Sequence, residues 1–277
     1  MFRPCESYDQ RVLHSTLVIR PEPVELRYVH DVFGNCVGVA RFAGAASELS
    51  FESRVTLEHN PPPLVREEQD LMDAAAATFP FAYGPEDMAD LLRSIERQHP
   101  DPEETLARWA RRFVRQDGPS GVLDLLSAMT RAIHADFRYA GRLEVGTQSP
   151  LETLHLGTGS CRDFAVLMIE AVRSLGLAAR FVSGYIYCDD GDRAPRHAGG
   201  GHTHAWVRIY LPRCGWVDFD PTNGIVGSAD LIRVAVARDP RQALPLCGTW
   251  SGETADYLGM DVEVWVQAEQ EAVSRAA

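Results

Sequence analysis

Hydrophobic positions change their spacing along this chain, and each change announces a different kind of element. Between Val12 and Glu58 the apolar residues come in short β-prone pieces: Val18-Ile19, Leu26-Arg27-Tyr28-Val29 and Val37-Gly38-Val39. Pro21, Pro23 and the stretch from Asp31 to Asn35 separate them, and Phe33-Gly34-Asn35 reads as a hairpin turn because Gly and Asn tolerate positive φ. Residues 49–57 alternate apolar with polar, as a half-buried strand does, so a small β-sandwich or sheet is expected here. Pro61-Pro62-Pro63 is stiff and cannot continue a ladder, which marks a boundary.

Beyond it the apolar spacing becomes three and four. Helices are predicted over residues 85–98, 103–116 and 121–137, the second starting at Pro102-Glu103-Glu104. In that second helix Leu106, Trp109, Ala110 and Phe113 make one stripe, which is a core face. Residues 147–159 read as a loop. They deliver Gly157-Thr158-Gly159-Ser160-Cys161, after which Phe164, Leu167, Met168, Ala171, Val172 and Leu175 recur at helical spacing until Gly176. Strand patterns then take over at residues 179–187, 204–211 and 215–220, with Pro212-Arg213-Cys214 as a hairpin loop between the last two. Residues 188–203 form a polar, Gly- and Asp-rich loop, and the tail carries residues 231–237 and a late strand at 262–266.

Composition narrows the function classes. With 277 residues, 45% hydrophobic and 24% charged, the chain is long and apolar enough to bury a core. A net charge of -12 argues against nucleic acid or an anionic membrane surface as partner, since phosphates need clustered Lys and Arg. No apolar run reaches the ~20 residues of a membrane span, and the N-terminus lacks a basic-then-apolar leader. The six cysteines, at 5, 36, 161, 188, 214 and 247, are scattered without a CxxC pair. They read as thiols of a reducing cytoplasm, so a cytoplasmic location is expected.

Among those cysteines Cys161 stands apart. It falls in the first turn of a helix, where unpaired N–H groups and the helix dipole favour an anion, and the thiolate is the reactive form of cysteine. A cysteine nucleophile needs a base and a group to orient that base. His204 opens one strand and Asp220 closes the next. The three-residue loop between them makes paired positions sum to an even number, so the two side chains share a face, opposite or one diagonal step apart. Asp218 shares that face and is the alternative orienting group. His202 and His204, with His197 nearby, form an HxH pair that would suit zinc, although no third ligand is in evident reach.

Four motifs now stand in order: Gly-x-Cys-Arg-Asp-Phe-Ala, Ala-Arg-Phe-Val-Ser-Gly-Tyr, His-Ala-Trp-Val-x-x-Tyr-Leu-Pro and Gly-Trp-x-x-Phe-Asp-Pro-Thr-Asn. Together they resemble the bacterial transglutaminase-like superfamily over about the last two-thirds of the chain. The resemblance implies an α+β, papain-like catalytic core over residues 66–277, behind a small N-terminal β domain at residues 1–65. It assigns a Cys-His-Asp triad to Cys161, His204 and Asp220, with no metal and no cofactor. The backbone N–H of Cys161 is the natural oxyanion donor.

The expected activity is hydrolysis of an amide in a peptide or protein substrate, through a thioester acyl-enzyme. Transfer of the same acyl group to an amine is the alternative, and a non-catalytic binding module is the competing class. Compared with such relatives the chain looks shortened before Met1-Phe2-Arg3-Pro4. The exposed sheet edge this would leave is expected to be covered by a loop or by a second copy in a homodimer.

Overall fold

The computed structural model describes residues 1–61, 77–142, 146–188, 202–227 and 229–268. Its N-terminal part is a pair of two-stranded antiparallel ribbons. One joins β1 (Gln10–Arg20) to β4 (Ser50–His59), and the other joins β2 (Glu25–His30) to β3 (Cys36–Arg41). The turn between β2 and β3 forms as expected. Gly34 has φ 81, and the Asp31 carboxylate accepts from the N–H groups of Phe33 and Asn35 at 2.9 Å each.

Short elements follow: β5 (Thr78–Phe79), α1 (Pro85–Ile95), α2 (Thr105–Arg111), β6 (Ser120–Gly121), α3 (Val122–Asp136) and β7 (Arg138–Tyr139). Next come α4 (Pro150–Leu156), β8 (Thr158–Gly159) and α5 (Cys161–Ser174). The last part is a five-stranded antiparallel sheet. It is built from β9 (Ala179–Ile186), β10 (His204–Leu211), β11 (Gly215–Asp220), β12 (Ile225–Val226) and β13 (Leu231–Ala237), ordered β12-β11-β10-β9-β13. The architecture is α+β, with a β region leading into a papain-like core.

The main core lies between α5 and the sheet. Phe164, Leu167, Met168 and Ala171 of α5 meet Ala205, Val207, Ile209 and Leu211 of β10, all of them buried. Leu106, Trp109, Leu126, Met129 and Ile133 from α2 and α3 close the other side of the helix. Burying a side chain of this size stabilises by about 1.5–3 kcal/mol. The cysteine helix is therefore held at the centre of the molecule.

The two parts of the chain are joined through the outer edge of β13. The Gln10 amide accepts from the N–H of Arg233 at 2.9 Å and donates to its carbonyl at 2.8 Å. The Asn35 amide does the same for Val236, at 2.8 and 2.7 Å. These two side chains imitate a neighbouring strand and satisfy backbone groups that a bare edge would leave open. The Cys5 N–H adds a bond to the Arg233 carbonyl at 3.0 Å, and Arg233 itself is clamped by both oxygens of Asp9 at 2.7 and 2.8 Å. The residues near Met1 thus cover an edge, but it is the edge of the five-stranded sheet.

Three sequence expectations need correction. Residues 147–159 are not a plain loop, because α4 lies within them; Ser149 caps it, Pro150 opens it and Gly157 closes it at φ 62. The second helix starts at Thr105, later than Pro102. Asp101, upstream, accepts from the N–H groups of Thr105 and Ala107 at 2.8 and 3.1 Å, and Glu104 between them is left-handed. Residues 262–266 join no sheet in the described structure. The N-terminal β region expected from the sequence is present, as two two-stranded ribbons. The boundary expected near residue 65 and most of the 188–203 loop lie outside the described residues.

Candidate active site

Cys161 is the first residue of α5 and is almost buried. Its position is fixed by what surrounds the helix start. Asp163, fully buried, accepts from the Ser160 N–H at 2.9 Å and the Ser160 hydroxyl at 2.8 Å through one oxygen. Through the other it accepts from the Gln148 N–H at 2.7 Å and the Arg142 guanidinium at 3.2 Å. One carboxylate therefore caps the helix and ties it to the preceding loop. The role of Asp163 was missed in the sequence, where only the Ser-x-x-Asp spacing of a cap hinted at it. On the opposite side β7 runs parallel to β8, pairing Tyr139 with Gly159 two residues before the cysteine. Tyr139 borders the site: burial first, then the charge of Cys161, pushes its phenol up from the ordinary value.

His204 and Asp220 come together as the hairpin parity requires. Leu211 pairs with Gly215 and Arg208 with Asp218, which sets His204 and Asp220 one diagonal step apart. Arg213 (φ 66) and Gly215 (φ 72) make the tight connection that fixes this register. Nε2 of His204 lies 2.8 Å from Oδ2 of Asp220, and both side chains are buried. The carboxylate is saturated from its own turn. Its Oδ1 accepts from the Thr222 N–H at 2.9 Å, and its Oδ2 accepts from the Asn223 amide at 2.8 Å. From α3, His134 Nδ1 donates to the Thr222 carbonyl at 2.7 Å and braces that turn.

The other ring nitrogen of His204, Nδ1, has no hydrogen bond of standard geometry among the described residues. The side chain that acts on the ring beside Asp220 is the Cys161 thiol.

The charges settle accordingly. Burial disfavours a protonated His204, but the charge and hydrogen bond of Asp220, with the Cys161 thiol, outweigh it and push the imidazole up to about 10. Burial alone would raise the Asp220 carboxyl; the His204 charge and hydrogen bond, with Asn223 and Thr222, hold it below the ordinary range. The balance favours the imidazolium form of His204. Its raised value means that the pair's contribution to stability is complete below the ordinary histidine pKa of 6.5 and is lost as pH rises through about 10.

The remaining candidates lie elsewhere. Asp218 does not touch His204; its Oδ1 accepts from the Trp206 indole N–H at 2.7 Å and faces Arg208 Nε at 3.4 Å. His202 is exposed, His197 is outside the described residues, and the described residues hold no group of three side chains suited to a metal. Cys214 sits in the β10–β11 connection, half-buried, and none of the six cysteines forms a disulfide.

Comparison with known proteins follows this geometry. Residues 107–221 match the model of the transglutaminase-like superfamily, and residues 1–58 match that of the bacterial transglutaminase-like N-terminal region. An uncharacterized protein of Mycobacterium leprae is 37% identical over 116 residues, covering 42% of this chain and 40% of that protein. An uncharacterized protein of Mycobacterium tuberculosis H37Rv is 27% identical over 253 residues, covering 88% of this chain and 78% of its own. Among solved structures, a candidate cysteine protease from Cytophaga hutchinsonii superposes with a TM-score of 0.62 at 20% identity. That match covers 87% of this chain and 75% of the other.

The cytoplasmic location expected from the scattered thiols is corrected. The chains it resembles include the periplasmic domain of TgpA from Pseudomonas aeruginosa, at 21% identity and a TM-score of 0.37 over 52% of this chain and 49% of that one. Cysteines without disulfides in a chain of this size do not report the compartment, because a large core needs no disulfides in either.

Proposed function

The chain belongs to the transglutaminase-like superfamily, with the bacterial N-terminal region ahead of the core, and on that footing we propose that it is a cysteine amide hydrolase. Its triad is Cys161, His204 and Asp220, carried by a catalytic domain at residues 66–277 behind the β region at 1–65. One observation supports this above the rest: a buried His204 held by Asp220 at 2.8 Å, with the thiol of a helix-initiating cysteine acting on the same ring.

The reaction proceeds in two halves. The Cys161 thiolate adds to the amide carbonyl, forming the C–S bond, while His204 holds the proton as imidazolium. The N–H of Cys161, at the first helical position, has no carbonyl partner within the helix and donates to the developing oxyanion. His204 then gives its proton to the leaving nitrogen, the C–N bond breaks and a thioester remains. Water, deprotonated by His204, attacks the thioester; the acid is released and the thiol re-forms. An amine in place of water would make the same centre a transferase.

Labelling with iodoacetamide at pH 6, read residue by residue by mass spectrometry, tests the reading. Cys161 is expected to react at least about tenfold faster than any other cysteine, because ordinary thiols are protonated there. Uniform slow labelling of all six would favour a binding module. Trapping the thioester from a peptide mixture, with and without added amines, identifies the acyl acceptor.

Chelation is expected to leave activity unchanged, since Nε2 of His204 is committed to Asp220. Loss of activity with EDTA that zinc restores would return the HxH pair to consideration.

A further inference from the structure

Behind the His204–Asp220 pair lies a line of largely buried groups that the proposed reaction does not use. The indole of Trp206 stacks on the His204 ring, with centroids 6.0 Å apart and planes 25° from parallel. Its N–H donates to Asp218 at 2.7 Å, and both side chains are almost wholly inaccessible. Asp218 in turn faces Arg208, whose Nη2 donates to the Trp216 carbonyl at 2.9 Å. Arg233 also acts on Asp218 by its charge, and is itself clamped by Asp9. The signs alternate from the N-terminal region inward: Asp9, Arg233, Asp218, Arg208.

A carboxylate is costly to bury and is kept where its charge is answered. Here the charges of Arg208 and Arg233 act on it, and it accepts a 2.7 Å hydrogen bond from a ring that stacks on the histidine. An indole can slide in its own plane; a 2.7 Å bond to a fixed acceptor removes that freedom. Trp206 thus stacks on the His204 ring, and Asp218 holds the indole N–H of Trp206.

We propose that Asp218 is a positioning residue for His204, acting through the Trp206 indole, and that Asp9 of the N-terminal region contributes by setting Arg233 beside it. This rests on the reading of Cys161 and His204 as nucleophile and base. The β region at the front of the chain is then part of the support of the catalytic histidine, in addition to its packing role.

The test is the iodoacetamide rate at Cys161 at pH 6, measured on the full chain and on Asp218→Asn, Trp206→Phe, Asp9→Asn and the Asp218→Asn/Trp206→Phe double variant. Asp218→Asn and Trp206→Phe should each slow labelling about tenfold, since sub-ångström displacement of a reacting pair carries costs of that order. The double variant should be no slower than the worse single one, because one change weakens and the other removes the same Trp206–Asp218 bond. Asp9→Asn should slow labelling by a smaller factor in the same direction. A role in stability alone would lower the melting temperature and leave the folded protein's labelling rate and its pH profile unmoved. That result, or additive losses in the double variant, overturns the proposal. If Asp218→Asn does not fold, an unchanged rate in Trp206→Phe overturns it equally. If Cys161 of the unaltered chain labels no faster than the other thiols, the nucleophile reading fails first and the proposal falls with it.

Discussion

Cys161→Ala is expected to lower turnover by about 10⁴-fold or more while the protein stays folded. The loss is chemical: no other group at the start of α5 can form the thioester, and water attack on an amide gains only what the oxyanion donor and binding supply. The structural cost is small. Cys161 is a modest part of the core beside Phe164 and Ala165, and removing one sulfur there costs on the order of 1 kcal/mol. The check is a paired measurement of turnover on a trapped substrate and of thermal unfolding. Full activity in a variant shown by mass to lack the thiol would remove the nucleophile assignment.

Asp220→Asn should be nearly as severe, about 10³–10⁴-fold in kcat. Asp220 receives hydrogen bonds from His204, the Thr222 N–H and the Asn223 amide. An asparagine offers one acceptor oxygen and one donor, so it must turn its amide N–H₂ toward groups that are themselves donors. It also cannot balance an imidazolium, and the His204 value of about 10 should fall toward or below the ordinary 6.5. The same substitution at Asp218 should cost only about tenfold, because that carboxylate acts through Trp206. Equal sensitivity at 218 and 220, or a larger effect at 218, would reassign the orienting residue. Titrating the His204 ring by NMR in the two variants separates them without a substrate.

How much of this was legible beforehand depended on the range of the interaction that fixes each element. The hairpin carrying His204 and Asp220 was readable because one three-residue loop sets its parity, and Leu211 does pair with Gly215. The α5 helix was readable because a fourteen-residue amphipathic run carries its own pattern. Helix α4, with seven residues, is too short for periodicity to show, although its Ser149-Pro150-x-Glu152 start was present. The start of α2 is decided by Asp101, which caps from four residues upstream of Thr105. Residues 262–266 alternate as a strand should, yet a strand needs a partner edge, and alternation does not supply one.

The site itself shows the same division. The three side chains of the proposed triad sit in local motifs, whereas Asp163, Asp218 and Tyr139 owe their contacts to partners far away in sequence or across the sheet. Asp163 meets Gln148 and Arg142, and Tyr139 reaches the cysteine only through the β7–β8 pairing. No spacing rule predicts such contacts.

The amides of Gln10 and Asn35 on β13 carry a consequence for the molecule's behaviour in a crowded solution. Each supplies one donor and one acceptor at the spacing of a peptide unit, so the row that another chain would need for docking is already occupied at Arg233 and Val236. Two side chains, at little cost in length, do what a sixth strand would otherwise do. They act as a stopper against edge-to-edge growth of sheets into fibres, and a chain stripped of its first forty residues would lose that stopper while keeping every residue of the proposed triad.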